Sequence, residues 1–348
     1  MKQVLIVVVV SLCFIGCKCS SARQGQFQGS HVIAFYNLEN LFDTINDPGI
    51  RDGEFTPAGS KEWSSERYDS KLINMAKVMA DIGSDQGFEG PSIIGLCEME
   101  NRNVLEDLIK TKGLAHKNYN VVHMDSPDKR GIDVALLYNP DVFEVKSTHT
   151  YPLKIYNEET GNRIFTRDQL LVSGRLQGDK IHIIVNHWPS RYGGRKSSIP
   201  FRKEAALLNR HIIDSLLSEN KHAKIITMGD LNDDPTDESI AGYLRAHAKR
   251  DQLKKGDLYN PLAVNFSKGK GTLFYRGKWN LFDQIVISQG WLRGKKGFGY
   301  DSAYIYKKPY LIQQEGNYKG YLLRTYGGKD YLNGYSDHLP VYMVVSAN

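Results

Sequence analysis

The stretch Ile225-Ile226-Thr227-Met228-Gly229-Asp230-Leu231-Asn232-Asp233-Asp234-Pro235 joins a strand-like apolar run to a burst of acids and amides. The apolar half, extended back to Lys224, has the near-continuous content of a strand covered on both faces. A carboxylate at the end of such a run is costly to bury unless it is paired or bound to a cation. Asp230 therefore marks a site where a strand gives way to a loop. Side chains alternate along a strand, and if that geometry persists Asp230 and Asn232 share a side, where a carboxylate and an amide could converge on one water or phosphate oxygen. Asp233 and Asp234 are explained by an Asx-rich turn entering Pro235.

Outward from this segment the same grammar repeats. Further strands are expected from Val32 to Tyr36, Ser92 to Cys97, Tyr119 to His123, Val134 to Tyr138, Gln169 to Leu176, Ile181 to Asn186, Phe282 to Ile287 and Val341 to Val345. Tyr68, Leu72, Met75, Met79 and Ile82 recur at helical spacing, with Glu66, Lys71 and Lys77 on the opposite side. Ala205, Leu208, Ile212 and Leu216 predict a second helix starting just after Pro200, and Asn103 to Lys112 a third, stopped by Gly113 in the left-handed cap conformation. No repeat or low-complexity linker divides residues 31–348, which read as one domain of the α/β or α+β sandwich class with helices covering sheets.

Four more polar clusters interrupt strand ends. Asn37-Leu38-Glu39-Asn40 follows the first strand, and alternation puts Asn37 and Glu39 on one side, able to share a ligand. Glu98-Met99-Glu100 follows Ile93 to Cys97; Glu98 is the functional candidate, and Glu100 reads equally as a solvated strand end. Asn186-His187-Trp188-Pro189-Ser190-Arg191 ends another strand, with Arg195, Lys196, Arg202 and Lys203 beyond it. Those charges form an anion-attracting field, in which Arg191 and Arg195 are substrate-binding candidates, or a solvated basic loop. The last cluster is split between Phe282-Asp283-Gln284-Ile285 and Ser336-Asp337-His338-Leu339-Pro340. Asp283, inside an apolar run, needs a partner such as the His338 imidazole, which leaves Asp337 free to hold a metal.

Taken in order, Asn37-x-Glu39, Leu-x-Glu98, His187, Gly-Asp230-Leu-Asn232, Asp283 and Ser-Asp337-His338 resemble the endonuclease/exonuclease/phosphatase superfamily across essentially the whole chain after residue 30. Cys97 departs from the pattern, standing where the family commonly has Gln before the Glu. The resemblance implies a four-layered sandwich of two mixed β-sheets packed face to face with helices on the outer faces. It also implies metal-dependent hydrolysis of a phosphate ester. Mg²⁺, with Mn²⁺ as the substitute, would be held by Glu98 with help from Asn37, Glu39 and Asp337. Asp230 would orient and deprotonate the attacking water beside Asn232. His338, held by Asp283, would donate to the phosphate, and His187 would contact another phosphate oxygen or protonate the leaving group.

The 348 residues are 41% hydrophobic and 24% charged, enough for one large core or two medium ones, and the formal charge of +6 favours an anionic partner such as nucleic acid or lipid headgroups. Lys2, the apolar run Val4 to Ile15 and Gly16-Cys17 form a signal peptide over residues 1–16. Phe14-Ile15-Gly16-Cys17 resembles a lipobox, so lipid at Cys17 and a flexible tether over 17–30 would fix an exported protein to a bacterial-type envelope membrane. An ordinary secretory signal is the alternative. With Cys17 lipidated, Cys19 and Cys97 offer no obvious disulfide.

The basic loop, the net charge and the tyrosines interleaved with Lys and Arg from Trp291 to Tyr335 lean toward nucleic acid as substrate, although that last segment also reads as a tyrosine-rich hairpin packed on itself. A sphingomyelinase-like lipid phosphodiesterase and a phosphomonoesterase are the enzymatic rivals. A catalytically silent binding module is opposed by the presence of all nine site residues. No protein partner is inferable.

Overall fold

The Val- and Ile-rich runs pair into two large sheets in the computed structural model, which describes residues 29–157, 159–293 and 296–348. The signal segment, Cys17 and nearly all of the tether lie outside those residues. One sheet has six strands in the order Phe298–Ile305, Val341–Ala347, Ser30–Leu41, Ile93–Met99, Asp133–Tyr138 and Asn120–His123. The other has seven, in the order Ala246–His247, Leu258–Tyr259, Asp283–Ser288, Lys224–Asp230, Asp179–His187, Gln169–Leu176 and Phe143–Tyr151. Both are mixed: Ser30–Leu41 runs parallel to Ile93–Met99 and antiparallel to Val341–Ala347, and Lys224–Asp230 is parallel to Asp179–His187 and antiparallel to Asp283–Ser288.

Alternation along these central strands sorts the apolar residues into layers. Ile33, Phe35, Ile93, Val134, Ile183, Val185, Ile226, Met228, Ile285 and Met343 fill the space between the sheets. Their neighbours Ala34, Tyr36, Ile94 and Leu96 face outward onto Leu72, Met75 and Met79 of the helix Ser65–Asp81. Across the molecule Ile184, Ile225 and Val286 face Ala205, Ile212 and Ile213 of the helix Arg195–Glu219. The result is helix, sheet, sheet, helix, with each fully buried aliphatic side chain contributing roughly 1.5–3 kcal/mol. Gly95 lets the sheets close, because a Cβ there would stand 2.6 Å from Met228 Cε.

Four expectations are corrected. Phe143–Tyr151 and Phe298–Ile305 are strands that apolar patterning passed over, since both lie at sheet edges and carry polar residues toward solvent. Lys71 is buried rather than on the outer side of its helix: its stem packs inside and Nζ donates to Thr325 Oγ1 at 2.7 Å and to Tyr335 O at 2.6 Å. Pro200 lies within its helix, not before it, close enough to the N-terminus to cost a single intrahelical bond. Gly113 keeps a negative φ; its role is close packing, since a Cβ would meet Ala76 Cβ at 3.3 Å. The tyrosine-rich segment does pack inward, with Tyr304 stacked on Tyr342 at 5.1 Å and the Tyr306 and Tyr310 hydroxyls on Asp81.

Candidate active site

Strand register brings the polar clusters into one row. Asp230 sits opposite His187 across the parallel pair and opposite Asp283 across the antiparallel pair. Gly229 permits this alignment, because a Cβ there would come 2.2 Å from Asn186 O. On the other sheet Asn37 is in register with Cys97, and both strands bulge at that level, between Asn37 and Leu41 and between Cys97 and Met99. Glu39, Asn40 and Glu98 take φ of 50°, 57° and 62°, a left-handed backbone that costs of order 1–2 kcal/mol per residue and re-aims the side chains at the end of the ladder.

The two sheets meet through an amide. Asn37 Nδ2 donates to Glu98 Oε1 and to Asp230 Oδ2, both at 3.2 Å. Backbone N–H groups of Asn40 and Asn232 donate to Glu98 Oε2 at 3.2 Å and to Asp230 Oδ1 at 3.0 Å. His187 Nε2 stands 3.7 Å from both Glu98 Oε1 and Asp230 Oδ2, and His338 Nε2 stands 3.8 Å from Asp230 Oδ2. Those gaps are too long for direct hydrogen bonds, yet an oxygen at the apex of either triangle reaches both partners. Behind them His338 Nδ1 is bonded to Asp283 Oδ2 at 2.6 Å.

Burial sets the protonation states. It pushes the Asp230 carboxyl up to about 7, with Asp283 and Glu98 adding to the rise and His338 opposing it. Burial also disfavours a charged His338, but the facing Asp283 and Asp230 carboxylates outweigh it and hold the imidazolium well above the usual histidine range. His187 goes the other way: burial, Arg167, Arg130 and His338 drive it well below that range. One imidazole is thus a charged donor at neutral pH and the other is neutral.

The donor set fits a divalent cation. Glu98, His187 and Asp230 offer ligand atoms within 4.8 Å of one another. The Glu98 side chain is 18% exposed and gives access from solvent. Asp283 Oδ1 has no hydrogen-bond partner among the described residues. Gathered carboxylates with so little neutralisation suit a hard, oxygen-seeking ion such as Mg²⁺ or Mn²⁺.

Other candidates are placed differently. Asn37 turns its nitrogen, not its oxygen, toward the carboxylates; the oxygen accepts from Glu39 N–H at 2.9 Å. Glu39 does not share a ligand with Asn37, because its oxygens are taken by Arg324 Nε at 2.7 Å and Thr325 N–H at 2.8 Å, with Lys71 Nζ at 3.8 Å. Asp337 Oδ2 is 2.8 Å from Arg324 Nη2, while its Oδ1 lies 4.0 Å from His338 Nε2. Asn232 leaves the strand with φ 52° and donates Nδ2 to Trp188 O at 3.0 Å. Arg191 is not an open substrate cation, being held by Asn232 O, Asp233, Asp234 and Asp237, while Arg195 pairs with Asp237 and stays 59% exposed.

Besides Lys71, three cations escaped the sequence reading of the site. Arg167 is buried and donates to His187 O and Trp188 O, fixing the strand exit, and to Asp128. Arg130, clamped by Asp128 at 3.1 Å but 51% exposed, lies close enough to influence both Glu98 and His187. Arg324 gathers Glu39 and Asp337. Asp128-Lys129-Arg130-Gly131-Ile132-Asp133, which leads into the strand beside Glu98, was the available signal for Arg130.

The model of the endonuclease/exonuclease/phosphatase family matches residues 32–347. Among solved structures, an endonuclease/exonuclease/phosphatase family protein from Bacteroides thetaiotaomicron is 17% identical, with TM-score 0.55, covering 92% of this chain and 98% of that one. A mannosyl-6-phosphatase from the same species is 17% identical, with TM-score 0.54 and coverage of 90% and 99%. D. rerio TDP2 complexed with single strand DNA product is 13% identical, with TM-score 0.53 and coverage of 92% and 100%. No curated protein matches the chain.

Proposed function

Because the chain belongs to the endonuclease/exonuclease/phosphatase family of phosphoric ester hydrolases, we propose that it is an Mg²⁺-dependent phosphodiesterase that cleaves nucleic acid. The observation carrying this reading is the convergence of Asn37, Glu98, His187, Asp230 and His338 from both sheets around one under-neutralised centre. Glu98 and Asp230, kept apart and oriented by Asn37, would hold the cation, and Mn²⁺ would fit the same donors. When bound, that ion supplies neutralisation of the phosphate and of the leaving oxygen. Asp230 takes the proton of the attacking water, its burial favouring the protonated carboxyl that results. The His338 imidazolium, aligned by Asp283, donates to the phosphate oxygens as charge builds on them. Neutral His187 contacts a second phosphate oxygen.

Nucleic acid as substrate is supported by the charge of +6 and by the exposed Arg130 at the rim. The same fold holds a single-strand DNA product in the D. rerio protein. A phosphomonoesterase, like the Bacteroides sugar phosphatase, is the second reading; it is favoured by the engagement of Arg191 with three acids of the following loop. Phe14 to Cys17 supports export and a lipid anchor that would keep this activity at the envelope. The test is a panel of DNA, RNA, sphingomyelin and a phosphomonoester, each with Mg²⁺ and with EDTA. Metal-dependent cleavage of DNA or RNA is expected. Cleavage of lipid alone, or of the monoester alone, would transfer the assignment to the corresponding rival.

A further inference from the structure

A cleft of about 270 Å³ opens beside the centre, lined among others by Glu39, Asn40, Phe55, Lys61, Arg324 and Tyr326. Its walls are the segment leading through Phe55 to Trp63 and the small hairpin of Tyr326–Gly327 and Asp330–Tyr331, and a satellite core of Phe42, Phe55, Trp63, Ile132 and Tyr326 stiffens them from behind. Phe42 and Phe55 stack at 4.4 Å, and the Tyr326 hydroxyl donates to Lys61 O at 2.8 Å.

The polar groups facing this cleft are mostly donors with capacity to spare. Lys61 Nζ makes no ion pair among the described residues and hangs 4.8 Å from the Tyr326 ring centroid. Arg324 spends Nε and Nη2 on Glu39 and Asp337 and keeps Nη1. Asn40, half-buried between cleft and centre, uses its backbone N–H on Glu98, while its side-chain amide has no protein partner among the described residues. The Glu39 carboxylate, the one acid in the lining, is already answered by Arg324, Thr325 and buried Lys71.

We infer that this cleft is a subsite for a second phosphate of the substrate, neighbouring the scissile one, with the organic group between them lying against Phe55 and Tyr326. The inference rests on the phosphoester-hydrolase reading of the adjoining centre. An ammonium, an amide and a guanidinium edge can each donate to phosphate oxygens, and a charge-assisted bond of this kind changes affinity by about tenfold or more. The second phosphate would come from the next linkage of a polynucleotide or from a bisphosphorylated small molecule, and the aromatic walls accept the sugar or base of either.

Lys61→Ala is the decisive variant, because the backbone carbonyl used by Arg67 and Tyr326 stays in place. Three substrates separate the possibilities: bis(p-nitrophenyl) phosphate, which has no flanking phosphate; a thymidine dinucleotide with a 5′-phosphate; and a sugar bisphosphate. The expected result is a roughly tenfold rise in KM for a two-phosphate substrate, kcat within about twofold, no change on bis(p-nitrophenyl) phosphate, and recovery in Lys61→Arg. Whichever two-phosphate substrate shows the split identifies the source. Equal loss on all three substrates, or no change on any, overturns the subsite. If the wild type hydrolyses none of them, the hydrolase reading fails by itself, and calorimetric titration of the dinucleotide decides the subsite: a Kd weakened about tenfold in Lys61→Ala sustains it, and an unchanged Kd removes it.

Discussion

Carboxylates at the end of one strand and in the loop just beyond it meet opposite fates. Asp233, Asp234 and Asp237 are answered by arginines: Arg202 Nε at 2.7 Å and Arg191 at 3.0 Å on Asp233, Arg191 on Asp234, and Arg191 with Arg195 on Asp237. Asp230, immediately before them, faces Glu98 and Asp283 with imidazoles, the Asn37 amide and the Asn232 N–H, and no guanidinium ion pair, to spread the charge. Chain neighbours of the same residue type therefore do different work. The neutralised group ties the loop to the long helix, and the un-neutralised group retains the charge that would hold a cation and take a proton.

The sharpest way to break this comparison is Asp230→Asn. Removing the water-activating carboxylate is expected to lower kcat/KM by about 10³-fold or more. Without metal, the same change relieves repulsion with Asp283 and Glu98 but gives up the attraction to His338 and one acceptor for Asn37 or Asn232, so Tm should move by no more than about two degrees. Activity within tenfold of wild type, or a Tm several degrees lower, would place Asp230 with the structural group.

The converse substitution belongs to the neighbours. Arg202 is fully buried against Asp233, and Arg202→Met leaves that acid short of a partner, at an expected cost of about 3–5 kcal/mol in denaturant unfolding. Turnover per folded molecule, measured well below the transition, should stay within a few-fold. A variant as stable as wild type but inactive would reverse the roles assigned to the two groups.

Next in size is the response to metal. Mg²⁺ at a hundred times its Kd should stabilise the native chain by about 2.7 kcal/mol, read as a rise in Tm over the EDTA sample. Glu98→Gln should abolish most of that rise, and Arg191→Ala should preserve it. An equal rise in Glu98→Gln would move the cation elsewhere.

Much of this arrangement was legible in the chain. The central strands announced themselves because they are apolar throughout, and Asp230, His187, Glu98 and Asp283 stood out as polar residues ending or breaking those runs. The pairing of Asp283 with His338 followed from the cost of a lone buried carboxylate. The fate of Glu39 was hidden, since strand alternation fails at a bulge with φ 50° and no local pattern encodes it. Arg324 and Lys71 were hidden for a different reason. Each finds Glu39 across a long stretch of chain, and a cation on a helix or in a loop looks solvated until the partner that buries it is known. Arg191 misled in the reverse direction: its acids lie close in space but follow a different strand.

Glu100 offers the smallest and most graded test, because it stands between the two groups in kind. It has no guanidinium, like Asp230, but it accepts the Asp43 N–H at 2.8 Å in place of touching the centre. Burial pushes its carboxyl from 4.5 up to about 8, Asp43 and Asp52 adding to the rise while the Asp43 N–H opposes it. Between those two values the folded chain keeps a proton that the unfolded chain has released. By linkage, native stability falls as pH rises through that window and levels off above about 8. Glu100→Gln keeps the acceptor oxygen and removes the titration. The Tm of Glu100→Gln relative to wild type should therefore be near zero at pH 4.5 and grow by on the order of 1–2 °C toward pH 8, solvent screening keeping it small. A difference that is flat with pH would mean that Glu100 is already ionised in the fold, and that lack of a guanidinium alone does not make a carboxylate at this end of the sheets hold its proton.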